Sequence, residues 1–159
     1  MFVNEETVND YKKQGVALLR NVISSDWLEK LAKGIEKNFL DPSKYKCVYE
    51  QENGKEIFYD DYCNWQRIEE YKDFIFNSDI AKIAAQLMQS KKVNLFHEHV
   101  LIKEPGAKKR TPWHQDQPYY CVDGKDNCSL WIPLDKISKE VCPEFVKFSH
   151  TWNKHYLPT

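Results

Sequence analysis

Apolar side chains recur at helical spacing in the first half of the chain. Leu28, Leu31, Ile35 and Phe39 form one stripe, which predicts an amphipathic helix opened by Ser24 or Ser25 and stopped at Asp41-Pro42. Asp26 and Glu29 suit the positive N-terminal end of that helix. A shorter helix precedes it, capped by Asn4 and running to about Gln14, where Gly15 fits a helix C-terminus. Ile80, Ile83, Ala84, Leu87 and Met88 make a third stripe, with Ser78 as its cap. Such a stripe is core, not a cofactor site. Between these helices "VALLR" (16–20) reads as a short buried strand. "KCVYE" (46–50) and "IFYDDY" (57–62) read as a hairpin around Asn53-Gly54, a dipeptide suited to a tight turn.

From Val93 the texture changes. "VNLFHEHVLIK" has strand composition, "EPGAKKR" is a loop, and "CSLWIPL" and "EFVKF" read as further strands. No internal repeat or low-complexity linker interrupts the chain, and 159 residues are the size of one domain able to bury its own core. The expectation is a single domain over 1–159, helical over about 1–92 and β over about 93–159. Segregation of this kind predicts an α+β, mainly β architecture: an antiparallel sheet or barrel with the N-terminal helices packed outside.

Composition narrows the function classes. With 23 basic against 24 acidic side chains, the formal charge of -1 speaks against a nucleic-acid partner and against an anionic membrane. No secretory signal opens the chain, and no stretch approaches the roughly 18–20 apolar residues of a membrane span. The expected setting is therefore cytoplasmic. Five cysteines, an odd number without CxxC spacing, are then read as reduced thiols. A zinc site on Cys121 and Cys128 is spaced too widely to be preferred. A hydrolase built on Asp60 and Asp61 has little support, because adjacent strand residues face opposite ways.

"TPWHQDQPYY" (111–120) carries the candidate chemistry. If it is a strand, His114 and Asp116 project side by side and Gln115 faces the other way. An imidazole nitrogen and a carboxylate oxygen so placed reach one divalent ion, and the mixed donor set suits iron(II), manganese or zinc better than calcium. One more imidazole would complete a two-histidine, one-carboxylate facial triad. Trp113, Tyr119 and Tyr120 provide the dry wall a reactive metal centre needs. The competing reading of so short a motif is a hydrogen-bonded surface pair.

In sequence order "VLIKEPGAKKRTPWHQDQPYY", "CSLWIPLD" and "EFVKFSH" resemble the phytanoyl-CoA dioxygenase family over about 100–156, with a weaker echo in "GVALLRNVIS" and the helix after it. That family comprises iron(II)- and 2-oxoglutarate-dependent oxygenases on a double-stranded β-helix, a jelly-roll, cupin-like fold. The resemblance makes His114 and Asp116 the first iron ligands and catalytic centre. It makes Trp131 part of the 2-oxoglutarate pocket, and it points to His99 and Lys103 as further cosubstrate contacts. Beside these stand plainer readings: Trp131 as core filler, His99 and its same-face neighbour His97 as satisfied inward-facing histidines, Lys103 as a solvated strand end. The implied reaction decarboxylates 2-oxoglutarate to succinate and hydroxylates a C–H bond of a small-molecule substrate with dioxygen.

Departures from the family pattern matter too. The distal iron-binding histidine and the arginine that clamps the far carboxylate of 2-oxoglutarate lie, in the family, well beyond the Ser-His segment. Thr159 comes before either, and Arg20, Arg67 and Arg110 do not stand where that clamp belongs. His150 matches a structural histidine of the family's Gly-Ser-His turn. His155 follows on a loop, and Phe148 stands where relatives carry glycine. The expectation is the front part of a longer protein, its β-helix incomplete at the C-terminus, self-associating through exposed strand edges. The alternative is a catalytically inactive metal- or ligand-binding protein of the same fold.

Overall fold

Asn4 caps the first helix as its position predicts. The computed structural model describes residues 3–49, 57–107 and 110–157. In it Asn4 Oδ1 accepts the Thr7 N–H at 2.8 Å and opens α1, Glu5–Gln14. Gly15 ends this helix at φ 86°, its N–H reaching the Tyr11 carbonyl at 2.8 Å. Ser24 opens α2, Ser25–Leu40, accepting from the Trp27 N–H at 3.5 Å. A helix that the sequence pattern did not announce follows as α3, Glu69–Asn77, burying Tyr71 and Phe74. Tyr71 and Phe74 are three apart, and with Glu69 and Glu70 in the first turn they were its available signal. The fourth helix, α4, is Ile80–Met88; its N-cap is Asp79, and Ser78 instead closes α3.

The predicted hairpin is present. β1, Cys47–Tyr49, pairs antiparallel with β2, Phe58–Tyr62, with Val48 opposite Tyr59. β2 pairs in turn with β3, His99–Lys103, placing Asp60 opposite Leu101. The Asn53-Gly54 turn and part of the "EPGAKKR" loop lie outside the described residues. Tyr59, Asp61 and Val100 point inward and are buried. Phe58, Asp60, Tyr62, His99, Leu101 and Lys103 share the other face, as period-two alternation requires.

Three predicted strands are absent among the described residues. "VALLR" alternates as a strand does, with Ala17 and Leu19 packed on core while Leu18 is exposed, yet no strand pairs with it. "CSLWIPL" and "EFVKF" are irregular, and 110–116 is extended chain with no ladder. Strand composition becomes strand only where a partner takes the backbone hydrogen bonds. Pro133 further denies one donor in "CSLWIPL". The sheet seen has three strands in the order β1-β2-β3, so the α+β class stands. The described residues are not mainly β, however, and two of the three strands lie before residue 93, in the half expected to be helical.

The chain divides into two compact units, each drawn from separated stretches. Met1–Ile23, Asp79–Val93 and Pro112–Thr159 form the first; Ser24–Ser78 and Asn94–Thr111 form the second. In the first, Val3, Val8, Ile83 and Leu87 make the core, flanked by Tyr11, Ala17, Leu19 and Val22. In the second, Ile68, Tyr71 and Val100 are buried among Leu31, Ile35, Trp65 and Ile102. There α2 passes so close to α3 that a Cβ on Gly34 would stand 2.6 Å from the Tyr71 ring. Gly34→Ala is therefore expected to destabilise by about 1–3 kcal/mol despite alanine's better helix propensity. A thermal melt that rises in that variant would contradict the packing.

Beneath the sheet lies a buried polar cluster of Asn38, Asp61 and Asn64, none with exposed surface. Asp61 accepts from Asn38 Nδ2 at 2.8 Å, from the Ser43 N–H at 2.8 Å and from the Ser43 hydroxyl. Burial by itself would push this carboxyl up. The Ser43 hydroxyl and amide, with Asn38 and Asn64, outweigh burial and hold it at about 2.

Candidate metal centre

His114 and Asp116 come together without a strand to align them. The chain runs extended to His114, then turns at Asp116 (φ -70°, ψ -39°) into a 3-10 turn, Gln117–Tyr119. Pro118 suits the start of that turn because its nitrogen has no hydrogen to leave unpaired. His114 Nε2 lies 3.2 Å from Asp116 Oδ1, with 35% and 52% of the two side chains exposed. The strand premise fails and the side-by-side placement holds. A turn beginning at the second residue replaces the pleat.

Hydrogen bonds around the pair fix the proton on one ring nitrogen. His114 Nδ1 is 2.8 Å from the Pro112 carbonyl. That oxygen only accepts, so Nδ1 carries a proton, and Nε2, facing Asp116 Oδ1, donates to it in the charged ring and presents a lone pair in the neutral one. Asp116 Oδ1 presents another. Two lone pairs 3.2 Å apart repel unless a proton or a cation stands between them. Cis ligands at about 2.1 Å from one octahedral ion stand about 3 Å apart, so the spacing and the nitrogen–oxygen set both fit iron(II) or manganese(II). Asp116 Oδ2 accepts from the Ser129 hydroxyl at 3.3 Å, and the Tyr120 hydroxyl lies 3.3 Å from Ser129 Oγ. Burial raises the Tyr120 phenol, which keeps it protonated. Tyr119 sets its ring edge against His114 at 6.0 Å. Ser129 was not singled out in the sequence. It lies thirteen positions beyond Asp116 in a stretch read as strand.

Among the described residues no group of three His, Cys, Asp or Glu side chains is placed to hold a metal ion. The pair thus supplies two donors. His150 is engaged elsewhere: its Nε2 lies 2.9 Å from the Lys12 carbonyl at the end of α1, and the Phe148 N–H donates to the Gln14 carbonyl at 3.1 Å. A side chain on Gly15 would run into the His150 ring. Phe148 adopts φ 65°, the left-handed region where glycine is unstrained. His155 and Trp131 lie on irregular chain, and Trp131 is half exposed.

His99 and Lys103 belong to the second unit, on one exposed face of β3. His99 Nε2 is 3.8 Å from Asp60 Oδ1, and the His99 ring sets its edge to Tyr62 at 5.5 Å. Burial raises the Asp60 carboxyl, and the neighbouring His99 partly offsets it. The Lys103 ammonium sits over the Phe58 ring at 5.6 Å. Lys103 is thus the exposed last residue of β3, as a solvated strand end is, and His99 lies on the same exposed face, not inward.

Residues 11–159 match a family model described as phytanoyl-CoA dioxygenase (PhyH). No curated protein and no solved structure matches the chain.

Proposed function

The chain belongs to the phytanoyl-CoA dioxygenase family, and from that premise we propose an iron(II)- and 2-oxoglutarate-dependent oxygenase acting on a small-molecule substrate. The observation that carries the proposal is the convergence of His114 Nε2 and Asp116 Oδ1, 3.2 Å apart. His114 Nε2 and Asp116 Oδ1 would hold the metal. In the neutral ring the Pro112 carbonyl selects the tautomer protonated on Nδ1, which turns the Nε2 lone pair toward a metal. Ser129 turns the carboxylate by holding its second oxygen. Tyr119, itself half exposed, packs its ring against the imidazole, while Trp113 stays largely exposed and supplies no dry wall. When bound, iron(II) with 2-oxoglutarate and dioxygen supplies the oxidising power for substrate hydroxylation.

For the cosubstrate the proposal assigns Lys103 as a cation for a carboxylate, His99 as a hydrogen-bond donor and Trp131 as an apolar wall. Support comes from the family match across these positions and from the shared exposed face of His99 and Lys103. The same match runs through both units, whose stretches interleave along the chain. From the family match over 11–159 we propose a single domain related to the family's double-stranded β-helix. No helix among the described residues is long and apolar enough to cross a membrane.

The two-donor set favours a second reading, binding without turnover. One experiment separates them. The chain is loaded with iron(II) without air, then given 2-oxoglutarate and oxygen, and succinate is followed by proton NMR. Succinate above the metal-free control is expected. Calorimetric binding of 2-oxoglutarate without succinate would select the second reading, and neither binding nor succinate would end both.

A further inference from the structure

Residues 110–116 have no ladder partner among the described residues, so side chains must hold His114 and Asp116 in place. Two ties are local. Pro112 is two positions from His114, and Ser129 is thirteen from Asp116. Gln115, half-buried between the two donors, makes a tie of another kind. Its Nε2 donates to the Lys154 carbonyl at 3.0 Å, and its Oε1 accepts the Tyr156 N–H at 3.0 Å.

A carboxamide sets an N–H donor beside a C=O acceptor, as a peptide unit does. The two bonds therefore imitate a rung of a β-ladder, with residue 155 bracketed between them. This rung joins positions 39 and 41 apart in sequence. Loop-closure entropy makes so long a connection slow to form by chance, but once closed it fixes position 115 from outside its own segment. Side chains one position either way then project from a held backbone. The local ties alone would move with that backbone; the Gln115 tie stops it moving.

We propose that Gln115 is a positioning residue: its carboxamide, bracketing residue 155, holds His114 Nε2 and Asp116 Oδ1 at the separation that one divalent cation needs. The proposal rests on the metal-binding reading of that pair, and two measurements on the full chain separate the two ideas. Gln115→Met keeps length and volume and deletes both bonds. Gln115→Asn keeps the amide and loses its reach by one methylene.

The first measurement needs no metal. In a nitrogen-15 correlation spectrum of the imidazoles, wild-type His114 should show a protonated Nδ1 and a bare Nε2. Both variants should show an average of tautomers, because the Pro112 contact is no longer held. The second is manganese(II) titration followed by electron paramagnetic resonance, with affinity expected to fall about tenfold in both variants. An unchanged His114 spectrum in Gln115→Met, with unchanged manganese affinity, would overturn the proposal. A changed spectrum in a protein whose wild type takes up no manganese would leave the positioning role standing and remove the metal reading.

Discussion

Asp61→Ala is expected to lower the unfolding free energy by about 3–5 kcal/mol. The reason is the number of donors left stranded, not the loss of one contact. Asp61 has no exposed surface. Its carboxylate takes hydrogen bonds from Asn38 and Ser43, and from the Tyr62 N–H at 2.9 Å, while the Tyr59 hydroxyl lies 3.2 Å away. Alanine returns nothing to these groups where water does not reach, and each stranded donor costs about 1–3 kcal/mol. Asp61→Asn should suffer nearly as much, because its amide nitrogen sets a donor against donors. Urea unfolding measures both, and a loss below about 1 kcal/mol in Asp61→Ala would show that the cluster is not what ties α2 to the sheet.

The same carboxylate predicts a pH dependence. Its folded value is lowered from 3.8 to about 2. A depressed carboxyl adds stability that is fully present above its unfolded value and is lost as the pH falls through the folded one. The wild type should thus lose roughly 2 kcal/mol between about pH 5 and pH 2 through this group. Asp61→Ala should lack that component. Parallel slopes for the two proteins over this window would refute the assignment.

His114→Ala is expected to weaken manganese(II) or iron(II) binding by at least about a hundredfold, with little change in the melting temperature. The side chain is one of two converging donors and is partly exposed, so its loss removes chemistry more than packing. Asp116→Asn offers a sharper comparison. It keeps an oxygen for Ser129 and the shape of the turn but removes the charge that a cation needs. Metal uptake retained in both variants, by direct metal analysis after desalting, would place any cation elsewhere. Succinate formation should fall with metal uptake in each case.

Some of this was visible in the one-dimensional pattern. Asn4, Gly15 and Ser24 announced three helix boundaries because capping is local: each cap needs only its own side chain or left-handed backbone and a nearby group of the same helix. The β1–β2 pairing was legible from alternation on both sides of a turn dipeptide. α3 was missed because its apolar positions are few and its N-cap, Ile68, makes no side-chain cap bond. Ser78 was misplaced by one residue because α3 ends where α4 nearly begins.

The predicted strands at "VALLR", "CSLWIPL" and "EFVKF" failed for one shared reason. Composition states what a segment would do beside a partner, and nothing in the segment states that a partner is there. The candidate site shows the same division. Residue types and family resemblance singled out His114 and Asp116, and the match over 11–159 agrees with that resemblance. The roles of Pro112, Ser129 and Gln115 were not legible, since a backbone carbonyl, a serine and a glutamine carry no motif.

What the linear order of residues determined by itself was therefore local or chemical: caps, one hairpin, the donor types of one pair, and family membership. What tertiary structure decided was every relation across distance. It placed Asp61 beside donors from Asn38 and Ser43, passed α2 tightly over Tyr71, and tied Gln115 to a stretch 39 positions away. The physical reason is that a cap or a turn closes within a few bonds of chain, whereas these contacts repay the entropy of closing long loops only when many form together.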